Sequence, residues 1–289
     1  MSGLFTQVSL GTNLFAGYGL TEALDMACSW GFDKVELSII TGICEHIAEE
    51  DLTEEKAAWL LEELRKRNMQ IPAVSGHQPD ITQEDQFEIF MKKLAFAGRL
   101  GAKIININAG VRGREAEFYR LFPKAIDLAE KYGIVIGLES HGDIVNTAAD
   151  SIEVFKYFHH PLVRYNYDFG NTKYFNGADF DVAEDVKIAF DYIANIHFKD
   201  VVIRPDYAAY VPIGDGCVEY ERVFESLRQL GRPVGCGLEI PVALQGTTKA
   251  LAPTGIPLPE AVMRDAAYRS VDYVSSVLGE KIAELKPIG

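Results

Sequence analysis

Short apolar runs alternate with longer amphipathic stretches along the whole chain. Most of the runs are nearly continuous in Val, Ile and Leu, as expected for parallel strands that are buried on both faces. The predicted strands are Val8–Asn13, Lys34–Ser38, Gln70–Gly76, Lys103–Asn108, Val135–Ser140, Val163–Asp168, Ile193–Asp200 and Val234–Ile240.

The stretches between these runs have the spacing and the end signals of helices. In the clearest of them, Thr53–Arg67, Thr53 is placed to cap the helix, acidic residues fill the first turn and basic residues fill the last. This distribution suits the helix dipole, and Gly or Pro follows several of the stretches as a stop signal. The predicted helices are Thr21–Trp30, Thr53–Arg67, Gln83–Arg99, Glu115–Tyr132, Thr147–Phe158, Val182–Phe190, Glu219–Leu230 and Glu260–Leu278.

Eight strand–helix units in succession predict an α/β protein with a single (β/α)8 barrel over residues 1–289. The alternative is a large open sheet. Such a sheet would carry a GxGxxG motif after its first strand if it bound a dinucleotide, and the chain has neither that motif nor GxxxxGK[ST]. The longest segment predicted to be irregular is Val201–Cys217, and a loop of that length in a compact domain is usually functional.

Composition excludes several classes of partner. The chain of 289 residues has 28 Lys+Arg and 42 Asp+Glu, so its net charge of −14 would repel nucleic acid. A hydrophobic fraction of 48% excludes disorder as the main state. No apolar run approaches a membrane span and the N-terminus lacks the pattern of a secretory signal. We therefore expect no nucleic acid and no membrane partner, and a cytoplasmic location.

Polar residues end the last four predicted strands, where a barrel of this type has its active site. The fifth strand delivers Glu139 and the sixth delivers Asp168, while His197 and Glu239 stand near the ends of the seventh and the eighth. Three converging carboxylates would repel one another unless a cation lay between them. Three oxygen ligands and one imidazole suit Mn²⁺, Co²⁺, Mg²⁺ or Zn²⁺, so we predict one divalent metal ion.

The order Glu, Asp, His, Glu on the last four strands resembles the xylose isomerase-like TIM barrel superfamily, also called the sugar phosphate isomerase/epimerase family. Its members include ketose 3-epimerases, hydroxypyruvate isomerase, inosose isomerases and dehydratases, and type IV apurinic endonucleases. The resemblance covers essentially the whole chain and implies that the four residues bind the metal and that Glu139 and Glu239 are also an acid/base pair. The segments that carry it are VELS at Val35, GLES at Gly137, NYDFGN at Asn166, IHFKD at Ile196, VPIGDGCVEY at Val211 and GLEI at Gly237.

A site of this kind acts on sugars through an enediolate. A divalent ion held by two adjacent substrate oxygens polarises the carbonyl and acidifies the neighbouring C–H. One glutamate removes the proton and the other returns one, to the opposite face in an epimerase or to the adjacent carbon in an isomerase. The resemblance therefore implies a metal-dependent sugar or keto-sugar isomerase/epimerase with a small carbohydrate as substrate.

Two alternatives remain open at this point. The same enediolate forms when CO₂ or a β-hydroxyl leaves, so the protein could be a lyase, either a decarboxylase or a dehydratase, that acts on an oxidised sugar acid. A non-catalytic sugar-binding barrel is disfavoured, because binding alone would not require two glutamates as an acid/base pair. The type IV endonucleases of the superfamily need a basic face for DNA and additional His and carboxylate ligands for more metal ions. This branch is excluded, because the chain has a net charge of −14 and six histidines in total. Exposed barrel ends often associate, so a homo-oligomer is an open expectation.

Four further residues are candidates for substrate binding. His77 follows the third strand and can bond a substrate hydroxyl, although capping of the next segment is an equal alternative. His141 lies two residues after Glu139, in reach of a substrate. Lys199 shares a strand face with His197, and Arg204 lies in the long loop. Either cation could hold a substrate carboxylate or phosphate.

Two more polar residues belong to the motifs. Several epimerases of the superfamily have a His three residues after the metal-binding Asp, and this chain has Asn171 there. Asn cannot shuttle a proton near pH 7, so Asn171 is expected to position the substrate. Glu36 ends the second strand and either faces the site or pairs with a nearby base.

Overall fold

Eight parallel strands close into a barrel, which confirms the (β/α)8 prediction. The computed structural model describes residues 4–287. The strands of the described residues are β1 (Phe5–Gly11), β2 (Lys34–Ile40), β3 (Cys44–Glu45), β4 (Gln70–Ser75), β5 (Ile104–Ile107), β6 (Val135–Glu139), β7 (Val163–Asp168), β8 (Ile193–Phe198), β9 (Asp200–Arg204), β10 (Tyr207–Val211), β11 (Val234–Leu238), β12 (Leu244–Thr247) and β13 (Ala250–Pro253). The barrel strands pair in the order β1, β11, β8, β7, β6, β5, β4, β2, and β1 also pairs with β2, which closes the barrel.

Helices follow the barrel strands and begin where the polar pattern predicts. The side chain of Thr53 accepts a hydrogen bond from the backbone N–H of Lys56 at 3.1 Å, so it caps the helix Glu54–Arg67 as expected. Among the helices of residues 4–287, none is both long enough and apolar enough to span a bilayer. The helices are α1 (Leu20–Trp30), α2 (Glu54–Arg67), α3 (Glu84–Arg99), α4 (Glu115–Leu121), α5 (Pro123–Tyr132), α6 (Ala148–Phe158), α7 (Phe169–Asn176), α8 (Val182–Ile188), α9 (Tyr220–Leu227) and α10 (Glu260–Leu278).

Two helical predictions need correction. The stretch Glu115–Tyr132 is two helices, because Pro123 has no backbone N–H to continue α4 and instead begins α5. Helix α7 was not predicted, since its side chains are mostly buried and have no amphipathic pattern. Asp168 caps this helix, because its carboxylate accepts a hydrogen bond from the backbone N–H of Asn171 at 2.7 Å.

The pleat of the barrel strands separates polar side chains inside from apolar side chains outside. On β7, Tyr165 and Tyr167 face the helical layer, where the Tyr165 ring lies 5.2 Å from the ring of Phe155 on α6. Asn166, between them, points into the barrel and bonds Glu139. The barrel interior is therefore lined with polar side chains directly below the carboxyl ends of the strands.

The prediction of an irregular loop over Val201–Cys217 is wrong. Most of this segment is the hairpin of β9 and β10, which joins β12 and β13 in a four-stranded antiparallel sheet, here called the mouth sheet. Tyr210 and Leu244 from this sheet pack with Tyr174 of α7 in a small apolar cluster of their own. The mouth sheet thus extends the β8 and β11 ends beyond the barrel.

Asp200 fixes the segment that follows the hairpin. Its buried carboxylate accepts hydrogen bonds from the backbone N–H groups of Gly214, Gly216 and Val218 at 2.9 to 3.1 Å, and from that of Val201 at 2.9 Å. Burial raises the pKa of Asp200, although these donors act in the opposite direction. A Cβ on Gly216 would collide with the carboxylate, so only Gly fits there.

The first prediction concerns this carboxylate. In Asp200→Asn the amide nitrogen faces backbone N–H groups that need an acceptor, so the free energy of unfolding should fall by about 1–3 kcal/mol. Urea unfolding followed by circular dichroism measures the change. Asp206→Asn, the same substitution at an exposed position of the hairpin turn, is the control and should change stability little. Equal stability of the two variants would contradict the role given to Asp200.

Candidate metal centre and substrate cavity

Four ionisable side chains meet at the carboxyl ends of adjacent strands. Glu139 ends β6 and Asp168 ends β7. His197 is the penultimate residue of β8, and Glu239 directly follows β11. Each offers one ligand atom, and these atoms all lie within 4.8 Å of one another. Asp168 is in register with His197, which explains why side chains that are far apart in the sequence converge. All four are buried.

The imidazole of His197 is oriented by a carboxylate below it. Its Nε2 lies 3.0 Å from Oε1 of Glu36, while its Nδ1 lies 2.9 Å from Oε2 of Glu139 and 3.2 Å from Oε2 of Glu239. With Nε2–H donating to Glu36, Nδ1 is the ring nitrogen left on the side of the other carboxylates to bind a metal, which is the usual arrangement of a metal-binding histidine. Burial disfavours the protonated ring, but the carboxylates around it raise the pKa of His197 well above its ordinary value.

Glu36 has this position because Gly237 leaves space for it. A Cβ on Gly237 would lie 2.6 Å from Oε2 of Glu36 and 3.1 Å from Cδ2 of His197. Of the two interpretations left open for Glu36, the structure gives it a place beneath the site, where it also accepts a hydrogen bond from Asn106 at 2.9 Å.

The donor set fits a divalent cation. Asp168 Oδ2 is buried and has no aligned hydrogen-bond partner among the described residues. Burial raises the pKa of Asp168 to about 6. Lys199 Nζ lies 3.3 Å from this oxygen and 2.6 Å from Oε2 of Glu239, so one ammonium partly balances three carboxylates. A divalent ion supplies the positive charge that the cluster otherwise lacks.

Glu139 is held by a chain of hydrogen bonds that reaches the mouth sheet. Asn171 Nδ2 donates to Oε1 of Glu139 at 2.9 Å, and Oδ1 of Asn171 accepts from the hydroxyl of Tyr210 at 2.6 Å. His77 Nε2 lies 3.2 Å from Oε2 of Glu139. Burial alone would raise the pKa of Glu139, but His77 and His197 lower it well below its ordinary value. The structure therefore places Asn171 behind Glu139, where its amide orients the carboxylate. Asn171 was expected to position the substrate, but it is not part of the cavity lining.

Glu239 is held in a similar way from the other side. Asn13 Nδ2 donates to Oε1 at 2.6 Å, and Lys199 Nζ donates to Oε2. Lys199 also lies over the ring of Tyr210, 4.6 Å from its centroid. Burial opposes ionisation of Glu239, but Lys199 and His197 lower its pKa below the ordinary value. Asn13 and Tyr210 carry no motif, and sequence reasoning missed both.

A cavity of about 190 Å³ opens beside the cluster. Glu139, Glu239 and Lys199 line it, together with His77 and His141, whose rings stack 5.5 Å apart. The remaining wall is largely apolar and comes from the β2 end, α7 and the mouth sheet. Its apolar and aromatic members are Ile40, Ile43, Tyr174, Phe175, Pro241, Leu244, Ala250 and Leu251, and its other members are Asn13, Gln78, Tyr210 and Lys249.

Arg204 is not brought to this cavity. It ends β9 and pairs with Tyr207 across the hairpin turn, where it is exposed, and it is absent from the cavity lining. The expectation that Arg204 contacts the substrate assumed an irregular loop folding over the mouth. Formation of the hairpin carries the side chain away from it. The pair of adjacent β-rich runs around Pro205–Asp206 is a hairpin signal that could have indicated this.

Comparison with known proteins agrees with the fold. A family model described as xylose isomerase-like TIM barrel matches residues 24–260. The L-ribulose-5-phosphate 3-epimerase UlaE of Escherichia coli O157:H7 is 26% identical over 234 residues, which cover 75% of this chain and 80% of that protein. A D-psicose 3-epimerase from Clostridium cellulolyticum H10, solved with D-tagatose, has a TM-score of 0.71 at 14% identity over 94% of this chain and 99% of its own. The IOLI protein, solved with a zinc atom, has a TM-score of 0.71 at 17% identity, with 94% and 99% covered.

The second prediction is metal binding by the cluster. The purified protein should bind about one divalent ion per chain, because the donor set provides three carboxylates and one imidazole. His197→Ala and Asp168→Ala should each lose most of the ion. Titration calorimetry with Mn²⁺, Co²⁺, Mg²⁺ and Zn²⁺ measures the affinity, and elemental analysis measures the content. Undiminished binding in both variants would exclude these residues as ligands.

The third prediction concerns Glu36. Glu36→Gln keeps the size of the side chain but weakens the acceptor of the His197 Nε2–H, and loss of such an outer partner usually weakens metal binding about 10–100-fold. The same calorimetric titration measures this change. Glu50→Gln, at an exposed position with the same loss of charge, is the control. Metal affinity that falls equally in both variants would assign the effect to net charge alone.

Proposed function

We propose a function from one established premise: the chain belongs to the xylose isomerase-like TIM barrel family. We infer that it is a divalent-metal-dependent epimerase of ketose sugars that acts at the carbon next to the carbonyl. The observation that carries this proposal is the position of two buried glutamates, Glu139 and Glu239, which line one cavity and converge on one His and one Asp. The relatives named as sugar epimerases support it.

The residues that would hold the metal are Glu139, Asp168, His197 and Glu239. An ion bound there would supply Lewis-acid polarisation of the substrate carbonyl and would stabilise negative charge on its oxygen. His77, His141 and Lys199 line the same cavity and are the donors proposed to orient substrate hydroxyls.

The two glutamates are the proposed proton carriers. Glu139 ends β6 and Glu239 follows β11, and these strands are separated by β7 and β8, so we propose that the two carboxylates act on opposite faces of one carbon. Asn171 orients Glu139, and Asn13 orients Glu239, which fixes each carboxylate before the substrate arrives. One glutamate removes a proton from carbon, and the other delivers a proton to the opposite face. The configuration at that carbon is thereby inverted.

The alternative of a lyase acting on a sugar acid gains no support from the geometry. It rested on the shared enediolate, and Lys199 and Arg204 favoured it modestly as partners of a substrate carboxylate. Lys199 is already bonded to Glu239, and Arg204 lies outside the cavity lining. We therefore argue only the epimerase function further.

The fourth prediction tests the proton carriers. Glu139→Gln and Glu239→Gln keep the shape of the side chain and one ligating oxygen but cannot take up a proton, so kcat should fall by about 10²–10⁴. The Kd for the metal should change less, because three ligands remain. The assay incubates the metal-loaded enzyme with L-ribulose, D-psicose and D-tagatose in D₂O, and NMR follows both the product and deuterium at the exchanged carbon.

Both signals should be lost together in these variants, whereas Glu50→Gln should keep both. Turnover near that of the unmodified enzyme in both variants would show that neither glutamate transfers the proton. Product formation without any deuterium incorporation would argue against a carbon-bound proton exchanging with solvent during epimerisation.

A further inference from the structure

We propose that the cavity selects a small, uncharged ketose, without a phosphate or carboxylate group. This inference rests on the proposed epimerase function and specifies its substrate class. It concerns the part of the cavity that lies away from the candidate metal ligands.

The size and the lining of the cavity support a short uncharged substrate. Its volume of about 190 Å³ is below the roughly 300–1,000 Å³ of pockets for drug-sized ligands. The charged side chains Glu139, Glu239 and Lys199 lie on one side, whereas Phe175, Leu244 and Leu251 belong to a wall whose side chains are mostly apolar. A phosphate against that wall would lose water without gaining donors.

Cations available to a phosphate are scarce in this cavity. Among its lining residues, Lys199 and Lys249 are the lysines, and no arginine is present. Lys199 is 2.6 Å from Glu239 and 3.3 Å from Asp168, so its charge is already committed. Lys249 is exposed in the turn between β12 and β13, at the rim. Phosphate recognition usually relies on several charge-assisted hydrogen bonds, often from arginine.

The backbone donors next to the mouth are also occupied. Barrels of this type frequently bind phosphate with the loops after the seventh and eighth strands. Here the N–H groups of Gly214, Gly216 and Val218, in the segment after the seventh barrel strand, donate to the carboxylate of Asp200. These three N–H groups are therefore not free to donate to a phosphate.

The charge balance of the site leads to the same substrate class. A divalent ion held by Glu139, Asp168, His197 and Glu239 would, together with Lys199, balance the charge of the three carboxylates. No positive charge is then left for an anionic substrate, in a protein whose net charge is already −14.

The test compares two probes that differ only in a phosphate, L-ribulose and L-ribulose 5-phosphate. Calorimetry with the metal-loaded protein measures their Kd values, and the assay in D₂O measures kcat/KM for both. We expect Kd and kcat/KM to favour the free sugar by at least about tenfold, a difference of roughly 1.4 kcal/mol. Inorganic phosphate should not compete with L-ribulose. Equal or tighter binding of the phosphate ester would overturn the inference.

A charge variant tests whether the apolar wall decides the preference. Leu251→Arg places a guanidinium in that wall and should shift the ratio of the two Kd values toward the phosphate ester by tenfold or more. Ile188→Arg adds the same charge at an exposed position on α8, outside the cavity lining, and should leave the ratio unchanged. An equal shift in both variants would assign the preference to long-range charge and contradict the role of the wall.

The two proposals fail separately. If the free sugar binds tightly but shows neither product nor deuterium incorporation, epimerisation is wrong for that sugar while the substrate class stands. If the phosphate ester is the better substrate and is epimerised, the substrate class is wrong while the epimerase function stands.

Discussion

Burying several carboxylates around one imidazole is the constraint on which the rest of the barrel interior depends. Unpaired charges in such a place cost far more free energy than a protein domain of this size can spare. His197 contacts Glu36 with one ring nitrogen and Glu139 with the other, so a single side chain joins two carboxylates. Lys199 donates to Glu239, and several further donors are side-chain amides of the interior, namely Asn13, Asn106, Asn166 and Asn171. Amides suit this task because they donate hydrogen bonds without adding a titrating group.

This arrangement also explains features of the backbone. Gly237 has no Cβ because Glu36 must reach His197 across the barrel, and Gly137 leaves room for Asn106 in the same way. The pleat places Tyr165 and Tyr167 outside while Asn166 lies inside, so one strand serves both the helical layer and the polar interior. The chemistry of the site is thus supported by residues that never touch a substrate.

Much of the fold and the centre of the site could be predicted from the sequence. The barrel strands lie within three residues of the predicted runs at each end, and the four candidate ligands were identified because strand ends share one edge of a barrel. Partners that depend on long-range packing were not predictable in this way. Asn13 meets Glu239 across 226 residues, and Tyr210 reaches Asn171 only because the mouth sheet forms. The misplacement of Arg204 has the same origin, since its position is set by hairpin pairing and not by a strand end.

The division between barrel and mouth sheet separates the candidate metal ligands from part of the apolar cavity wall. The candidate ligands and proton carriers stand on or directly after β6, β7, β8 and β11, whose parallel pairing holds them rigidly. Part of the apolar wall comes instead from Leu244, Ala250 and Leu251 of the mouth sheet, whose two hairpins follow β8 and β11. A change in the mouth sheet can alter what the cavity accepts without moving a metal ligand. Tyr210 is the exception, because its hydroxyl donates to Asn171, which in turn donates to Glu139. The position of the mouth sheet is thereby coupled to the orientation of Glu139, one of the two proposed proton carriers.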